Sequence, residues 1–489
     1  MIQSLLKYGL PKELEGNILA ANLFSFVERE KKLPPLPFFR GINWNESPVV
    51  KLSDGDSSLT YRDFRFSALM LKCIRKYGIA PHFLYYGIDF KTAGNPHSLI
   101  LLGRNGSGKT SLFAGMEKVG KGRSNIATLR GYDSTRESQF FSHGNMPLEQ
   151  SWIKLSVGDG VTIKGKVDDL KNENIPEACF SSDFDVEQLE KVDNYSAFIW
   201  RQIGVETLSR VIDLLDDYKA GIIDDYERGD LPENDFSLRK QQAENLRGYF
   251  ADTVERVKMG IGPKLKEMME CIVNDYFDEY DGERFLVSFD SNSFEFSFDI
   301  EFKTSTVNSS GDSDATLINL TPRQYLNTFR FKLFIFSLKL SLGLCMKLFN
   351  RVDFPYIVDD MFDSSDFDNR KEIGNFFRKV VESHDAIIDK EIEACRTSES
   401  IDVVSKGKLM SNLSRLRNPQ IIFLTQDELI ADSLYEGLKD IQDVVYGRLC
   451  NPHELTREDI RISHEPSDNV IGGYSHRYLN LYDVIYRSF

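Results

Sequence analysis

The chain has 489 residues, of which 41% are hydrophobic, including 35 Phe and 20 Tyr. This composition is that of a globular protein long enough for two or three domains, and it excludes a largely disordered chain. The net charge of −15 argues against a surface that is basic throughout, although a local basic patch stays open. The six cysteines form no Cys-x-x-Cys pair, so neither a disulfide framework nor a zinc site is predicted.

Residues 1–10 lack the apolar core of a secretory signal peptide, and the scattered cysteines suit a reducing compartment, so a cytoplasmic location is expected. The most membrane-like run, residues 331–349, contains Lys332, Lys339 and Lys347. A lipid-facing span would tolerate three lysines poorly. The run is therefore predicted to be a buried helix of a soluble domain, and no membrane partner is expected.

In the first third of the chain, residues 59–78 carry Leu, Phe and Met at helical spacing, which predicts a helix. Residues 85–91 alternate as in a strand, and residues 152–166 alternate as in an exposed hairpin. Five basic residues follow the first glycine-rich loop and could face phosphate or DNA, although a solvated face is the alternative. They are Lys118, Lys121, Arg123, Arg130 and Arg136.

The middle of the chain, residues 186–280, is predicted to be helical, with a break at residues 260–263, Gly-Ile-Gly-Pro. Because no heptad register persists over several turns, the pattern favours a compact helical insertion over a long coiled-coil arm. Residues 285–303 return to strand patterning.

A phosphate-binding loop is the clearest motif. The apolar run 98–102 is followed by Gly-Arg-Asn-Gly-Ser-Gly-Lys-Thr at residues 103–110, which matches the P-loop pattern in its strand–loop–helix context. Lys109 can reach the β- and γ-phosphates, and the Thr110 hydroxyl can bind Mg²⁺. The residues predicted to bind the nucleotide are Gly103, Arg104, Asn105, Gly106, Ser107, Gly108, Lys109, Thr110 and Ser111.

A second motif supplies the carboxylates that a P-loop requires. The apolar run 354–358 ends in Asp359 and Asp360, at the end of a predicted strand. A later apolar strand, residues 420–424, ends in Thr425-Gln426-Asp427. This strand follows the helix after the acidic pair, where a sensor of the γ-phosphate would lie.

Together, these motifs resemble those of the ABC-class ATPases, and within that class the SMC/RecF/OLD-like repair and defence branch. The resemblance covers residues 83–115 and 316–430 and includes Ser364-Ser365-Asp366 followed by Asn369-Arg370. It implies that ATP is bound with Mg²⁺ at Thr110 and, through water, at Asp359. It also implies that Asp360 orients or deprotonates the attacking water, with Gln426 as γ-phosphate sensor.

The same resemblance implies that two heads face each other around ATP, with Asp366 in a loop that communicates across the dimer. The segment that would touch the partner's γ-phosphate is residues 319–327, including Thr321 and Asn327. The usual Ser-x-Gly core is missing from it, Gln426 replaces a histidine and Asp360 replaces a glutamate, so a slow ATPase is expected. Gln139 and Gln150 are both candidates for the Q-loop glutamine.

The expected fold class is α/β: an ABC-type ATPase head with a mixed sheet, plus a compact helical insertion and strand-rich lobes. The expected segments are 1–80, an N-terminal segment packing on the head; 81–169, the first half of the head; 170–283, the helical insertion; 284–440, the second half of the head; and 441–489, a C-terminal extension.

By resemblance to Septu-like and retron-associated ATPases, the expected function is to regulate a separate effector, such as a nuclease, in bacterial anti-phage defence. Three alternatives stay open: a RecF-like DNA-binding repair ATPase, an ATPase with its own nuclease activity, and a transporter-associated subunit. A nuclease pattern of two acids and a lysine exists at Asp290, Glu301 and Lys303.

Overall fold

A computed structural model gives the fold. It describes residues 61–77, 80–89, 91–92, 95–96, 98–103, 109–121, 152–158, 162–166, 175–182, 195–203, 205–281, 283–302, 316–318, 322–350, 352–362, 365–399 and 402–449.

The described strands are β1 Arg62–Asp63, β2 Phe66–Tyr77, β3 Ala80–Asp89, β4 Lys91–Thr92, β5 Asn95–Pro96, β6 Ser98–Gly103, β7 Trp152–Val157, β8 Thr162–Lys166, β9 Phe180–Ser182, β10 Glu283–Asp290, β11 Glu295–Phe302, β12 Thr316–Ile318, β13 Val352–Asp353, β14 Tyr356–Asp359, β15 Ile421–Thr425 and β16 Val444–Leu449. The described helices are α1 Lys109–Lys121, α2 Tyr195–Ile203, α3 Val205–Glu227, α4 Glu233–Asp281, α5 Pro322–Tyr325, α6 Thr328–Asn350, α7 Phe367–Thr397, α8 Val403–Ser414 and α9 Glu428–Leu438.

The centre of the fold is a five-stranded sheet in the order β16-β6-β15-β14-β9, and all of its described strand pairs are parallel. Strands β6, β14 and β15 are buried along their whole length, as the continuous apolar runs of their sequences require in a parallel sheet covered on both faces. The α/β class is confirmed. The mixed sheet that the resemblance implied is divided here: the described pairs of the central sheet are parallel, and antiparallel pairs form separate lobes.

The first lobe is a four-stranded antiparallel sheet in the order β3-β2-β7-β8, and the second is a three-stranded antiparallel sheet, β10-β11-β12. The helix predicted at residues 59–78 is wrong, because Phe66–Tyr77 forms strand β2 and pairs with both β3 and β7. A run this rich in apolar residues fits both the period of a helix and the period of a strand, and pairing with distant strands decides between the two.

The first lobe is fixed to the central sheet by one buried side chain. The amide of Gln420 accepts a hydrogen bond from the backbone N–H of Phe66 and donates one to the carbonyl oxygen of Phe66, both at 2.7 Å. Gln420 therefore occupies the place of a neighbouring strand and satisfies both backbone groups of a residue that is fully buried.

The helical region contains an antiparallel hairpin of two helices. Helices α3 and α4 are joined by residues 228–232, and the ion pairs Lys219–Glu244 and Asp216–Arg247, both at 2.6 Å, cross between them. Helix α4 has 49 residues, which corresponds to about 73 Å. Its first half pairs with α3, and its second half packs against α6, α7 and β10. The hairpin therefore extends only over the length of α3, about 35 Å, which is short of a long coiled-coil arm, as expected.

The predicted break at residues 260–263 is wrong, because α4 continues through Pro263. Proline at this position removes one hydrogen bond, to the carbonyl of Met259, and Met259 is an exposed residue. Gly262 serves close packing instead: a Cβ atom there would overlap the ring of Phe289 on β10.

Helix α6 is buried on all sides over residues 331–348, within the run 331–349 that was predicted to be a buried helix. Its three lysines are buried too, and each has a partner: Lys332 donates to the carbonyl oxygen of Met361, Lys339 to that of Phe180, and Lys347 lies 2.9 Å from Asp353. Among the described residues, none of the helices has the length and apolar content needed to cross a membrane.

The central sheet draws strands from more segments than expected. Strand β9, at 180–182, falls in the segment expected to be the insertion, and β16, at 444–449, falls in the expected C-terminal extension. Strand β2 likewise pairs across the expected boundary at residue 80. Boundaries drawn from sequence spacing therefore do not coincide with membership of the sheets.

Candidate nucleotide-binding site

The carboxyl ends of β6, β15 and β14 meet at one edge of the central sheet. Strand β6 ends at Gly103 and helix α1 begins at Lys109, which confirms the strand and the helix expected on either side of the P-loop. The intervening residues Arg104, Asn105, Gly106, Ser107 and Gly108 lie outside the described residues. Ser111 is placed in the first turn of α1.

Lys109 is buried at this edge, with only 4% of its surface exposed. Its Nζ atom donates a hydrogen bond to the carbonyl oxygen of Gly103 at 2.7 Å and lies 3.6 Å from Oδ2 of Asp360. The P-loop lysine and the carboxylate predicted to act on water therefore lie together, although 251 positions separate them in the sequence. A buried ammonium ion at the N-terminus of a helix is suited to binding phosphate.

The acidic pair divides between strand and turn. Asp359 is the last residue of β14, is buried, and lies between Leu424 of β15 and Ser182 of β9. Asp360 leaves the strand with φ of 49°, and its N–H donates to the carbonyl oxygen of Leu424 at 3.0 Å. Aspartate is several-fold enriched in this left-handed region. The local backbone therefore favours aspartate over glutamate at this position.

The oxygen atoms at this edge fit Mg²⁺. Thr110 is half-buried in the first turn of α1, and α1 packs against β14, whose last residue is Asp359. A hydroxyl, one carboxylate and the phosphates of a nucleotide are the hard oxygen ligands that Mg²⁺ prefers. Across the part of the chain that the structure describes, no group of three or more His, Cys, Asp or Glu side chains converges as a metal site. A P-loop Mg²⁺ site requires no such group.

Strand β15, which precedes the predicted sensor Gln426, lies between the strands of the two motifs. Strand β15 separates β6 from β14 in the sheet, so Thr425, Gln426 and Asp427 follow at the same edge as Lys109 and Asp360. The N–H of Asp427 donates to Oγ1 of Thr425 at 3.0 Å, and Oδ1 of Asp427 accepts from Leu429 at the start of α9. Gln426 is exposed, and the residues on either side of it, Thr425 and Asp427, are both hydrogen-bonded.

The residues predicted to reach across a dimer are helix caps in this structure. Oδ1 of Asn327 accepts from the N–H of Arg330 at 2.9 Å at the start of α6, and Asp366 accepts from the N–H and the side-chain amide of Asn369 at the start of α7. Capping of a helix N-terminus is a sufficient local reason for Asn and Asp at these two positions. Both are also exposed. Thr321 lies outside the described residues, as do the Q-loop candidates Gln139 and Gln150.

Arg370 is a residue of this edge to which the sequence assigned no role. Its Nε atom donates to the carbonyl oxygen of Ser365 at 2.7 Å, and its NH1 atom lies 2.7 Å from Oδ2 of Asp427. The only sequence signal was the position of Asn369-Arg370 after the acidic strand. Its pairing with Asp427, 57 positions away, requires the folded structure.

The nuclease pattern does not converge. Asp290 closes the turn between β10 and β11, accepting hydrogen bonds from the N–H of Asn292 and the hydroxyl of Ser293, which lower the pKa of Asp290. In the hairpin register Asp290 lies opposite Glu295, whereas Glu301 is six positions further along, a distance of about 20 Å. These acids cannot contact one phosphate. Lys303 lies outside the described residues.

Lys121 does not belong to the predicted basic patch. Lys121 is buried, pairs with Glu117 at 2.7 Å and lies 5.0 Å from the ring centroid of Phe180, so it stabilises the end of α1 rather than facing DNA. Lys118 is half-buried. The other three, Arg123, Arg130 and Arg136, lie outside the described residues.

The fold is therefore α/β, and Lys109, Asp359, Asp360 and the turn that contains Gln426 lie at one edge of its central sheet. No protein-family model matches the chain. No curated protein matches it either.

Solved structures with a similar fold include the Smc head domain with an extended coiled coil, bound to the C-terminal domain of ScpA, from Pyrococcus furiosus. It is 12% identical, with a TM-score of 0.37, over 79% of this chain and 94% of that one. The recombination mediator protein RecF-ATPrS in the RecFOR pathway is 13% identical, with a TM-score of 0.38, over 76% of this chain and 95% of that one. At these TM-scores the similarity carries no conclusion about function, which has to be inferred from the chain's own residues.

Proposed function

We propose that this protein is an ABC-type ATPase that binds ATP with Mg²⁺ and hydrolyses it slowly. The observation that carries the proposal is the pairing of Lys109 with Asp360 at 3.6 Å, at the same sheet edge as the turn that contains Gln426. In P-loop ATPases a lysine binds the phosphates and a residue near the γ-phosphate positions the attacking water.

Each residue at the edge has a distinct part in this reaction. Lys109 and the N-terminus of α1 bind the β- and γ-phosphates, Asp360 orients or deprotonates the water, and the amide of Gln426 donates to the γ-phosphate. Thr110 and, through water, Asp359 would hold Mg²⁺, which supplies charge neutralisation on the phosphates when bound. Aspartate has a shorter reach than glutamate and pairs with Lys109, which favours slow turnover.

Self-association around ATP is the second part of the proposal. The exposed residues Asn327 and Asp366 begin helices α6 and α7. They would contact the nucleotide of a second copy, together with Thr321, in a two-fold dimer. Met361, one residue after Asp360, accepts a hydrogen bond from Lys332 of α6, which supports a link between such a contact and the site.

The resemblance of the motifs to those of defence ATPases supports a role in regulating a separate effector, such as a nuclease, in anti-phage defence. The separation of Asp290 from Glu301 disfavours a nuclease within the described hairpin. The burial of Lys121 leaves less of the basic patch for a DNA clamp.

The test is the solution mass of the Asp360→Asn protein, measured by light scattering with and without Mg-ATP. Asparagine tolerates the same backbone conformation and removes the charge, so ATP should be bound and trapped and the mass should double. Lys109→Ala should lose ATP binding and stay at its original mass, with Lys118→Ala as the matched control on the same helix. A mass that does not change in Asp360→Asn while ATP is bound would contradict the dimer; failure to bind ATP would contradict the proposal as a whole.

A further inference from the structure

One side chain joins the two loops that flank the candidate site. Arg370 lies in the first turn of α7, where Nε donates to the carbonyl oxygen of Ser365 and NH1 contacts Oδ2 of Asp427, both at 2.7 Å. The guanidinium group is planar and rigid, so two contacts from different edges of the group fix both the distance and the orientation between their partners.

The first partner belongs to the loop that carries the carboxylates. Ser365 is buried, and its N–H donates to the carbonyl oxygen of Phe362 at 3.0 Å, two residues after Asp360. The arginine therefore holds the end of a loop whose other end is the turn at Asp360.

The second partner belongs to the loop that carries Gln426. Asp427 uses Oδ1 to cap α9, at the N–H groups of Leu429 and Ile430, and uses Oδ2 for Arg370. The two oxygen atoms thus have separate tasks. Since Gln426 immediately precedes Asp427, the ion pair fixes the turn from which the Gln426 side chain extends.

We propose that Arg370 is a positioning residue that sets the separation of Gln426 from Asp360, so that both meet the γ-phosphate and its attacking water at once. This inference rests on the proposed ATPase function. Arg370 would itself contact neither the nucleotide nor the water.

Loss of this ion pair should affect the rate of hydrolysis much more than the stability of the fold. The Arg370 and Asp427 side chains are 30% and 17% exposed, and ion pairs with such access to water contribute little to stability. Misplacement of a reacting group by about 1 Å, in contrast, can cost about 100-fold in rate. A positioning role therefore predicts a loss of turnover without a loss of folding.

The experiment compares Arg370→Gln with Arg378→Gln in steady-state ATPase assays, ATP-binding titrations and thermal unfolding. Arg378 lies two turns further along α7 and pairs with Glu382 at 3.0 Å, so it controls for loss of an arginine ion pair on the same helix. We expect kcat of Arg370→Gln to fall about tenfold or more, with the KM and Kd for ATP within about twofold. Arg378→Gln should match the wild type, and Arg370→Lys should recover part of kcat.

Asp427→Asn tests the other end of the pair. Asparagine caps a helix as well as aspartate does, so this variant should keep α9 and remove only the charge that faces Arg370. It should lower kcat as Arg370→Gln does, and the double variant should lose no more than either single variant, because both remove the same contact.

Three results would overturn the inference while leaving the ATPase intact: unchanged kcat in Arg370→Gln, additive losses in the double variant, or a fall in kcat accompanied by equal losses of ATP binding and melting temperature. Absence of ATP hydrolysis in the wild-type protein would instead overturn the proposed function, and this inference with it.

Discussion

The Nζ atom of Lys332 lies 2.7 Å from the carbonyl oxygen of Met361, so the first turns of α6 are tied to the residue directly after Asp360. Lys339, on the same helix and also buried, donates instead to the carbonyl oxygen of Phe180 at the edge strand β9. Two lysines in similar surroundings thus differ in whether they contact the candidate site.

We predict that Lys332→Met lowers ATP hydrolysis several-fold, whereas Lys339→Met leaves it near the wild-type rate. Methionine preserves the length of the side chain, and each substitution leaves one carbonyl oxygen without its lysine donor, so both variants should lose a similar amount of stability, about 1–3 kcal/mol. The measurement is kcat for both variants, with melting temperature as the check on folding. Equal rates in the two variants would show that the bond to Met361 has no part in the reaction.

Gly262 and Gly260 offer a matched test of packing on α4. Alanine at Gly260 meets nothing within 4 Å and should stabilise the protein by about 0.5–1 kcal/mol through helix propensity. Alanine at Gly262 would overlap the ring of Phe289 and should lower stability despite the same gain in propensity. Denaturant unfolding of both variants measures the difference. Equal stabilisation would mean that the hairpin β10–β11 does not pack on α4 as described.

The buried ion pair between Lys347 and Asp353 should be costly to break from one side. Both side chains are fully buried, and Arg65 lies 3.2 Å from the same carboxylate. Asp353→Asn leaves the ammonium group without its counter-charge, so we expect a loss of about 3 kcal/mol in the free energy of unfolding. Arg378→Gln, which breaks an exposed pair, should cost less than about 0.5 kcal/mol. Similar losses in the two variants would contradict this account of burial.

His384 should make stability depend on pH. Burial lowers the pKa of this fully buried imidazole below its ordinary value, and its hydrogen bond with Asp385 only partly offsets the effect. The unfolded chain therefore binds a proton before the folded one does. The resulting loss of folding stability is absent above about pH 6.5. It grows as the pH falls, until the pKa of His384 in the folded state is reached.

We accordingly expect wild type to lose more stability than His384→Gln between pH 7.5 and 5. The comparison of two proteins with the same carboxylates isolates the contribution of the imidazole. Denaturant midpoints at several pH values give the difference, and parallel curves for the two proteins would rule out this role.

Local motifs could be read from the sequence, whereas long-range pairing could not. The P-loop strand and helix and the strand ending at Asp359 depend on short runs whose chemistry is self-contained. Strand β2 was misread because its apolar residues fit two periodicities, and only pairing with β3 and β7 resolves them. The unbroken helix α4 was missed because Pro263 signals a break, whereas packing of α4 against α6, α7 and β10 outweighs the cost of a proline inside a helix, about 3 kcal/mol.

Within the site, the sequence identified Lys109, Asp359 and Asp360 but not their arrangement. Strand β15 lies between β6 and β14 in the sheet. This order cannot be predicted from the sequence of any single strand. The link from Arg370 to Asp427 joins residues 57 positions apart, so chain spacing carries no information about it.

Helix α7 has its first residues at the candidate site and its later residues against the second half of α4, where Ser383 contacts Asp275 and Glu391 contacts Lys264. From Asp366 to Glu391 the helix spans about 37 Å. Because of this length, a tilt of the helix by about 5° about its first turn corresponds to a shift of about 3 Å at the contact with Lys264. One helix therefore connects the nucleotide edge directly to α4, so the two regions share a single structural element.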